Sequence, residues 1–319
     1  MIRPFWAIVA ATYVWASCGK DQASRSTNQS FEAISLLGDT LKAPSLPDSI
    51  RLAREAQLSE ARRQLERSPE DPEAWIWVGR RTAYLGRYRE AISVYTQALA
   101  RFPEDPRLYR HRGHRYITVR QFDRAIEDLE RGATLIAGKP DEVEPDGLPN
   151  PRNIPTSTLH FNIWYHLGLA YYLKGDLENA LRAYRQCLAV SRNPDALVAT
   201  THWLYMTLRR LGRDREAADL LRPITPGLDI IENTAYHRLA LMYRGLIPPD
   251  SLFRSDDPAG GSLENVTLAY GVGNWHLYNG RPAEAERIFR AIVERRDQWA
   301  AFGYIAAEAE LARGVLSGD

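Results

Sequence analysis

The stretch that decides the fold is residues 72–105, PEAWIWVGRRTAYLGRYREAISVYTQALARFPED. Apolar side chains recur in it at the spacing of amphipathic helices, on both sides of a Leu-Gly-Arg turn that contains Gly86. Glycine suits the tight turn that ends a helix, and Pro103 helps to end the second helix. Gly79 and Ala91 are small enough to let two helices approach closely. The stretch therefore predicts a closely packed pair of helices.

The same pattern recurs along the chain with a period of 34 residues, the separation of Gly79 from Gly113 and of Ala91 from Ala125. One such unit cannot bury its apolar face alone, so successive units are expected to stack. The predicted units are 72–105, 106–139, 161–194, two degenerate units at 198–231 and 232–265, a further unit at 266–295 and a C-terminal half-unit at 296–313, with an insertion at 140–160.

In this register Trp75, Val78, Gly79, Ala91 and Tyr95 lie where the tetratricopeptide repeat family places its signature residues, and the chain resembles that family over roughly 72–313. The resemblance implies an all-α, right-handed α-solenoid of about 13 or 14 helices. It also implies a scaffold that binds a peptide or a partner protein rather than an enzyme. Finer stretches, such as IPTSTLHFNIWYHLGLAYYL, are similar to a bacterial subgroup of such proteins.

A further helix is predicted before the first complete unit. Residues 49–67 carry an apolar stripe, and Asp48 is the expected N-cap. We expect this helix to be the second of an incomplete unit that caps the solenoid, which would then extend over 48–313.

The amino terminus has the pattern of an export signal. Residues 1–17, MIRPFWAIVAATYVWAS, place one arginine before an apolar run that is too short to span a bilayer. Small residues directly before Cys18 resemble a bacterial lipobox, which implies lipidation of Cys18. Polar residues 18–47 are predicted to be a flexible tether. The expected location is extracytoplasmic, on the periplasmic side of the outer membrane in a diderm organism, with the lipid as the only membrane contact.

Other interpretations of the amino terminus stay open from the sequence. It fits a plain secretory signal or a retained anchor, and a misread signal would leave a cytoplasmic scaffold. Lys and Arg number 41 against 40 Asp and Glu, which argues against bulk attraction to nucleic acid without excluding a local basic patch.

No phosphate-binding loop, nucleophile elbow, HExxH motif or paired-cysteine pattern occurs in the chain. We therefore predict no catalytic residues, no cofactor and no metal. Cys187 occupies a small buried slot of its unit and is predicted to be a packed core thiol. The alternative is an enzyme that uses histidines around the insertion as acid–base groups, namely His111, His114, His160, His202 or His237. His111 and His114 share a helix face, but no third metal ligand accompanies them.

The insertion contains five prolines and four acidic residues, Asp141, Glu142, Glu144 and Asp146. It is too stiff and polar to continue the solenoid. It is either a surface loop without a role or a lid whose acids cover a basic surface when no partner is bound.

The resemblance implies that the first helix of each pair lines a concave groove. The groove positions carry Arg, His and Tyr side chains, which suit an extended, possibly acidic peptide. The family's peptide-carboxylate clamp uses Lys and Asn where this chain has Ile76 and Arg80, so that specificity is not transferred. The predicted binding residues are Arg80, Tyr84, Arg110, His111, His114, Tyr165, His166, Tyr172, His202, Arg209, Tyr236, His237 and Arg244.

Overall fold

The computed structural model describes residues 31–253 and 263–314. Within these ranges it contains thirteen α-helices and one small hairpin, in agreement with the predicted all-α solenoid. The strands are β1 (Phe31–Ile34) and β2 (Thr40–Lys42), and the helices are α1 (Asp48–Arg67), α2 (Pro72–Tyr84), α3 (Tyr88–Arg101), α4 (Pro106–Thr118), α5 (Phe122–Ile136), α6 (Leu159–Lys174), α7 (Leu177–Val190), α8 (Pro194–Arg210), α9 (Asp214–Leu220), α10 (Thr234–Tyr243), α11 (Leu263–Tyr278), α12 (Pro282–Val293) and α13 (Phe302–Ala312).

The first two complete units begin with the same local chemistry. Asp71 and Asp105 cap α2 and α4, and each carboxylate accepts a hydrogen bond of 2.9 Å from the backbone N–H two residues on. Pro72 and Pro106 follow at the first helical position, where a missing N–H costs nothing. The boundaries predicted for these units are therefore set by residues adjacent in sequence.

The glycines of the repeat lie where the two helices of a pair touch, as predicted. A Cβ atom added to Gly79 would lie 2.3 Å from the Tyr95 ring, and one added to Gly168 would lie 2.7 Å from the Tyr184 ring. At Gly113 the same contact is with Leu129, at 2.8 Å. These distances are too short for a carbon atom, so each helix pair depends on glycine at this position.

The degenerate units show little of their second helices within the described ranges 31–253 and 263–314. α9 has only 7 residues, and α10 is followed by a single 3₁₀ turn, Pro249–Ser251, before the next described helix. With little between them, the first helices α8, α10 and α11 pack against one another. The solenoid is tightly curved here, and its last helix, α13, packs against α6 as well as against α11 and α12.

A buried ion pair fixes this closure. The Arg120 guanidinium donates to both Glu308 carboxylate oxygens, at 3.1 and 2.8 Å, and also to the carbonyl oxygen of Trp299 at 2.8 Å. A second buried carboxylate of α13, Glu310, pairs with Arg210 at 2.8 Å. α13 is thus held by arginines from the ends of α4 and α8.

The flexible tether predicted for residues 18–47 is wrong over 31–42. These residues form an antiparallel hairpin with Ala33 and Leu41 in the core. The Glu32 carboxylate accepts a hydrogen bond from the Arg89 backbone N–H at 3.0 Å, and the Trp299 indole donates to the Lys42 carbonyl at 2.7 Å. The hairpin therefore bridges the start of α3 and the segment before α13, contacts that short-range sequence patterns do not contain.

Asp48 does not cap α1, because it is the first helical residue, after Pro47, and it pairs with Arg51 at 2.9 Å. Cys187 is fully buried as predicted, and burial raises the pKa of its thiol to about 12.

The predicted signal peptide, Cys18 and the predicted tether up to residue 30 lie outside the described residues. No helix among 31–253 and 263–314 combines the length and the apolarity needed to cross a bilayer.

Gly168→Ala should lower the free energy of unfolding by about 1–3 kcal/mol, because the new methyl group overlaps the Tyr184 ring. Chemical denaturation measures this loss. Gly227→Ala is the matched control, since a Cβ atom there meets nothing within 4 Å. Equal stability of the two variants would show that the helix contact is not as close as described.

Candidate functional site

A cavity of about 560 Å³ lies on the concave face, within the size range of small-ligand sites. First helices α4, α6, α8, α10 and α11 contribute to its lining, together with the insertion and the start of α13. Five of the predicted binding residues line it: Arg110, His114, Tyr165, His166 and Tyr236.

The insertion forms one wall of this cavity, and Glu144 anchors it. The Glu144 carboxylate lies 3.2 Å from Arg110 Nε and 3.1 Å from His111 Nε2, and it also accepts a hydrogen bond from Asn162. Burial opposes ionisation of Glu144, but the Arg110 charge and the hydrogen bond from His111 hold its pKa below the usual range for a carboxyl. One acid of the insertion therefore does occupy the basic surface.

Main-chain hydrogen bonds hold the base of the insertion closed. The Glu144 N–H donates to the Ser157 carbonyl at 3.1 Å, beside a β-bridge between Val143 and Thr158. Farther out, Arg152 forms two hydrogen bonds with Asp229, at 2.7 and 2.9 Å. The insertion is thus held in place both at its base and in its outer part.

His111 lies beside the cavity wall, and both of its ring nitrogens are engaged. Nδ1 accepts a hydrogen bond from Arg110 Nη1 at 2.8 Å. The imidazole proton is therefore on Nε2, which donates to Glu144. Burial and the Arg110 charge lower the His111 pKa to about 3. This histidine is a neutral link in a polar network and has no lone pair left for a metal that His114 would share.

His166 offers a different arrangement. Its Nδ1 is 2.6 Å from the Asn162 carbonyl oxygen, which accepts only, so the proton is on Nδ1. Burial lowers the His166 pKa to about 3, and the ring is therefore neutral with a bare lone pair on Nε2. The His114 ring lies against it at 4.4 Å between centroids, and Phe302 of α13 lies 5.7 Å away.

Tyrosines form a second wall. The Trp203 indole donates to the Tyr165 hydroxyl at 2.8 Å, and the Tyr165 and Tyr236 hydroxyls are 3.0 Å apart. Because the Tyr165 oxygen accepts a hydrogen bond from Trp203, the Tyr165 hydroxyl can donate its own proton in a hydrogen bond to Tyr236. The rings are thereby fixed in position at the cavity.

The remaining predicted residues do not reach this cavity. Tyr172 and His202 are buried in the core, where they bond to Tyr270 and Tyr243. His237 bonds to the Thr225 carbonyl oxygen, at 2.8 Å.

Arg80 and Tyr84 are covered by the insertion at Gly147, where a Cβ atom would lie 1.8 Å from the Tyr84 hydroxyl. Arg209 and Arg244 line a separate depression of about 320 Å³. The single continuous groove predicted along the first helices is thus divided.

The arginines of the predicted basic groove are largely paired within the chain. Arg110 pairs with Glu144, Arg209 pairs with Asp214 at 2.7 Å, and Arg244 donates to a backbone carbonyl oxygen. Arg80 donates to the Tyr84 hydroxyl at 3.4 Å. Two of the four predicted arginines are thus neutralised by carboxylates in the described part of the chain. The five histidines of the enzymatic alternative do not converge either, since His114 alone of the five lines the cavity, among the residues that the structure describes.

The contributors to the site that were missed from the sequence include Glu232 and Phe302. Glu232 precedes α10 and lies at the rim, exposed to solvent. Phe302 begins α13, and its place in the cavity follows from the closure of the solenoid. An available signal was the pair Glu308 and Glu310 in an otherwise apolar helix, which required buried cationic partners elsewhere.

Family models described as tetratricopeptide repeat match residues 72–114 and 161–194. A curated relative, BBSome complex member BBS4 of Bos taurus, is 26% identical over 141 residues, which are 44% of this chain and 23% of that protein. The chain thus spans less than a quarter of the aligned relative's length.

Similar solved structures include YrrB, described as a TPR protein with an unusual peptide-binding site, at 14% identity and a TM-score of 0.42, covering 74% of this chain and 91% of that one. Another is a putative kinesin light chain of Podosopora anserina with nearly identical TPR-like repeats, at 18% identity and a TM-score of 0.42, covering 72% of this chain and 96% of that one.

The two matched stretches coincide with the helix pairs α2–α3 and α6–α7, whose glycine contacts recur in the register of the repeat. The chain therefore contains tetratricopeptide repeats at residues 72–114 and 161–194.

Proposed function

We propose that this protein is a non-catalytic scaffold that holds a short segment of a partner protein in the concave cavity. The observation that carries the proposal is the cavity itself, about 560 Å³ bounded by first helices of five units. Repeat solenoids bind through their concave surfaces, and this cavity combines fixed aromatic rings with a few polar groups, as binding sites do.

The segment is short because α13 occupies the neighbouring part of the concave face. Gly303 to Glu310 of α13 are all buried, and Tyr172, which a long peptide would need, is 1% exposed. An extended peptide running past all the first helices would have to displace this helix. A few residues of a partner, entering at the rim near Thr234, fit without that change.

We propose that the insertion acts as a fixed wall of the site and not as a lid. At its base, the Glu144 N–H donates to the Ser157 carbonyl oxygen. The Glu144 side chain bonds to residues of α4 and α6, and Arg152 bonds to Asp229. A lid would need to release these contacts together, including a buried charge. Partner binding beside the wall requires none of them to break.

A photo-crosslinking residue at Thr234, on the cavity rim, should capture the partner segment from membrane extracts. The same residue at Ser93, exposed on α3 and not part of the cavity, is the control. Mass spectrometry of the crosslinked peptide identifies the segment. Capture of the same peptides with equal yield at both positions would contradict binding in the cavity.

Replacing residues 145–156 with a short Asn-Gly turn separates wall from lid, because Glu144 and Ser157 are already hydrogen-bonded neighbours. The variant keeps Glu144 and removes the outer insertion. A wall predicts a lower crosslinking yield at Thr234, whereas a lid predicts a higher one. An unchanged yield would remove any role of the outer insertion in binding.

We further propose that the scaffold is tethered to a membrane by lipid on Cys18, after removal of residues 1–17. The support is the sequence pattern, a short apolar run with small residues before the cysteine. In a diderm organism the proposed address is the periplasmic side of the outer membrane.

Cys18→Ser should abolish incorporation of labelled fatty acid and release the protein from membranes, because diacylglyceryl attachment needs the thiol. Cys187→Ala is the control that removes the only other cysteine, which is buried, and it should still be labelled. Absence of label from the wild-type protein would overturn the lipoprotein proposal.

A further inference from the structure

The cavity lining includes groups that accept hydrogen bonds or carry negative charge. His166 is the clearest case, with 4% of its surface exposed. Its Nδ1–H donates to the Asn162 carbonyl oxygen, so Nε2 can only accept. Nothing in the described part of the chain donates a hydrogen bond to Nε2. Because His166 borders the cavity, a ligand atom there is the natural donor to this nitrogen.

Carboxylates at the rim add negative charge. Asp146, on the insertion, and Glu232, before α10, both line the cavity. The Asp146 Oδ2 atom is shielded from solvent and accepts no hydrogen bond from the described residues. Partial burial, together with the nearby Glu232 charge, raises the pKa of Asp146. Two carboxylates that repel each other at one rim are stabilised by a shared cation.

The positive charge of the cavity lining itself is neutralised by a neighbouring carboxylate. Arg110 is the one arginine or lysine that lines the cavity among the residues described, and it is paired with Glu144 at 3.2 Å. Both histidines at the cavity, His114 and His166, have pKa values lowered by burial and are neutral near pH 7.

Aromatic rings supply the rest of the wall. Tyr236 and Tyr165 are held by the hydroxyl network with Trp203, and Phe302 packs against His114 with 5.3 Å between ring centroids. Faces of Tyr and Phe attract cations within about 6 Å of the ring centroid. Aromatic faces beside carboxylates and a neutral acceptor nitrogen form a set that fits a cation with N–H donors.

We propose that this cavity binds an ammonium or guanidinium group, which donates to His166 and is neutralised by Asp146 and Glu232. Resting on the function proposed above, the group would be a lysine or arginine side chain, or the amino terminus, of the partner segment. This selectivity is the reverse of the acidic partner that the sequence suggested. It follows from the pairing of the arginines within the fold.

The test measures binding of n-butylguanidinium and n-butylammonium to the purified full-length protein. Nitrogen-15 NMR of labelled histidine should show a shift of the His166 Nε2 resonance, with millimolar or tighter affinity. Two matched compounds separate the contributions: tetramethylammonium has charge but no N–H, and n-butylurea has N–H but no charge. Both should bind at least about tenfold more weakly.

Asp146→Asn should weaken binding of n-butylguanidinium by about tenfold or more, because an isosteric amide removes the charge. Glu142→Gln is the control: it removes an exposed acid of the same insertion that does not line this cavity. Thermal unfolding of both variants confirms that they fold.

The proposal is overturned if neither cationic probe binds at about 10 mM. It is also overturned if n-butylurea binds as tightly as n-butylguanidinium, or if Asp146→Asn and Glu142→Gln have equal effects. These leave the scaffold function to the crosslinking comparison of Thr234 with Ser93, which can succeed independently. If the probes bind and the crosslinked segment carries Lys, Arg or its amino terminus at the cavity, the source is the partner. If the segment has none of these, the cavity binds a free organic amine.

Discussion

The buried ion pair between Arg120 and Glu308 is the interaction on which the shape of the molecule depends. Its side chains are 2% and 1% exposed, and burying either charge alone would cost several kcal/mol. The pair is stable because its hydrogen bonds are satisfied from several segments. Arg120 also donates to the Thr118 and Trp299 carbonyls, and the Leu36 backbone N–H donates to Glu308 at 2.6 Å. α4, α13, the segment before α13 and the N-terminal hairpin meet there.

Arg120 also shows what the repeat gives up for this contact. It lies 34 residues after Gly86, at the helix-ending position, and it has a φ of 63° where Gly86 has 76°. A residue with a Cβ atom in this left-handed conformation costs roughly 1–2 kcal/mol. Only a side chain can reach Glu308, so the repeat carries an arginine where the other units carry glycine.

Closure changes the chemistry of the concave face. In an open solenoid the arginines and histidines of the first helices would face solvent and attract acids. Here Glu144 neutralises Arg110, Glu310 neutralises Arg210, and burial keeps His111 and His166 neutral. The cavity that remains accepts hydrogen bonds and favours cations. The same residues therefore imply opposite selectivity according to whether the solenoid is open or closed.

The fold was predictable because the contacts within a repeat join residues that are close together in sequence. Gly79, Gly113 and Gly168 are separated from the side chains they contact by 16 residues each, within one unit. The closure was not predictable in this way, because Arg120 and Glu308 are 188 residues apart and belong to different units. The hairpin was missed for the same reason, since its short strands depend on contacts with α3 and Trp299. The predicted residues that line the cavity all lie on first helices, whereas Phe302 and Glu232 reach it through closure or a loop and were not predicted.

A double-mutant cycle at positions 120 and 308 tests the closure most directly. Arg120→Met and Glu308→Met should each lower the free energy of unfolding by about 3–5 kcal/mol, because each leaves an unpaired buried charge. The double variant should be far less destabilised than the sum of the two, since no charge remains. Methionine keeps a side chain at position 120, so the backbone strain is unchanged. Additivity within about 0.5 kcal/mol would mean that the two residues do not meet, and would contradict a solenoid closed by its last helix.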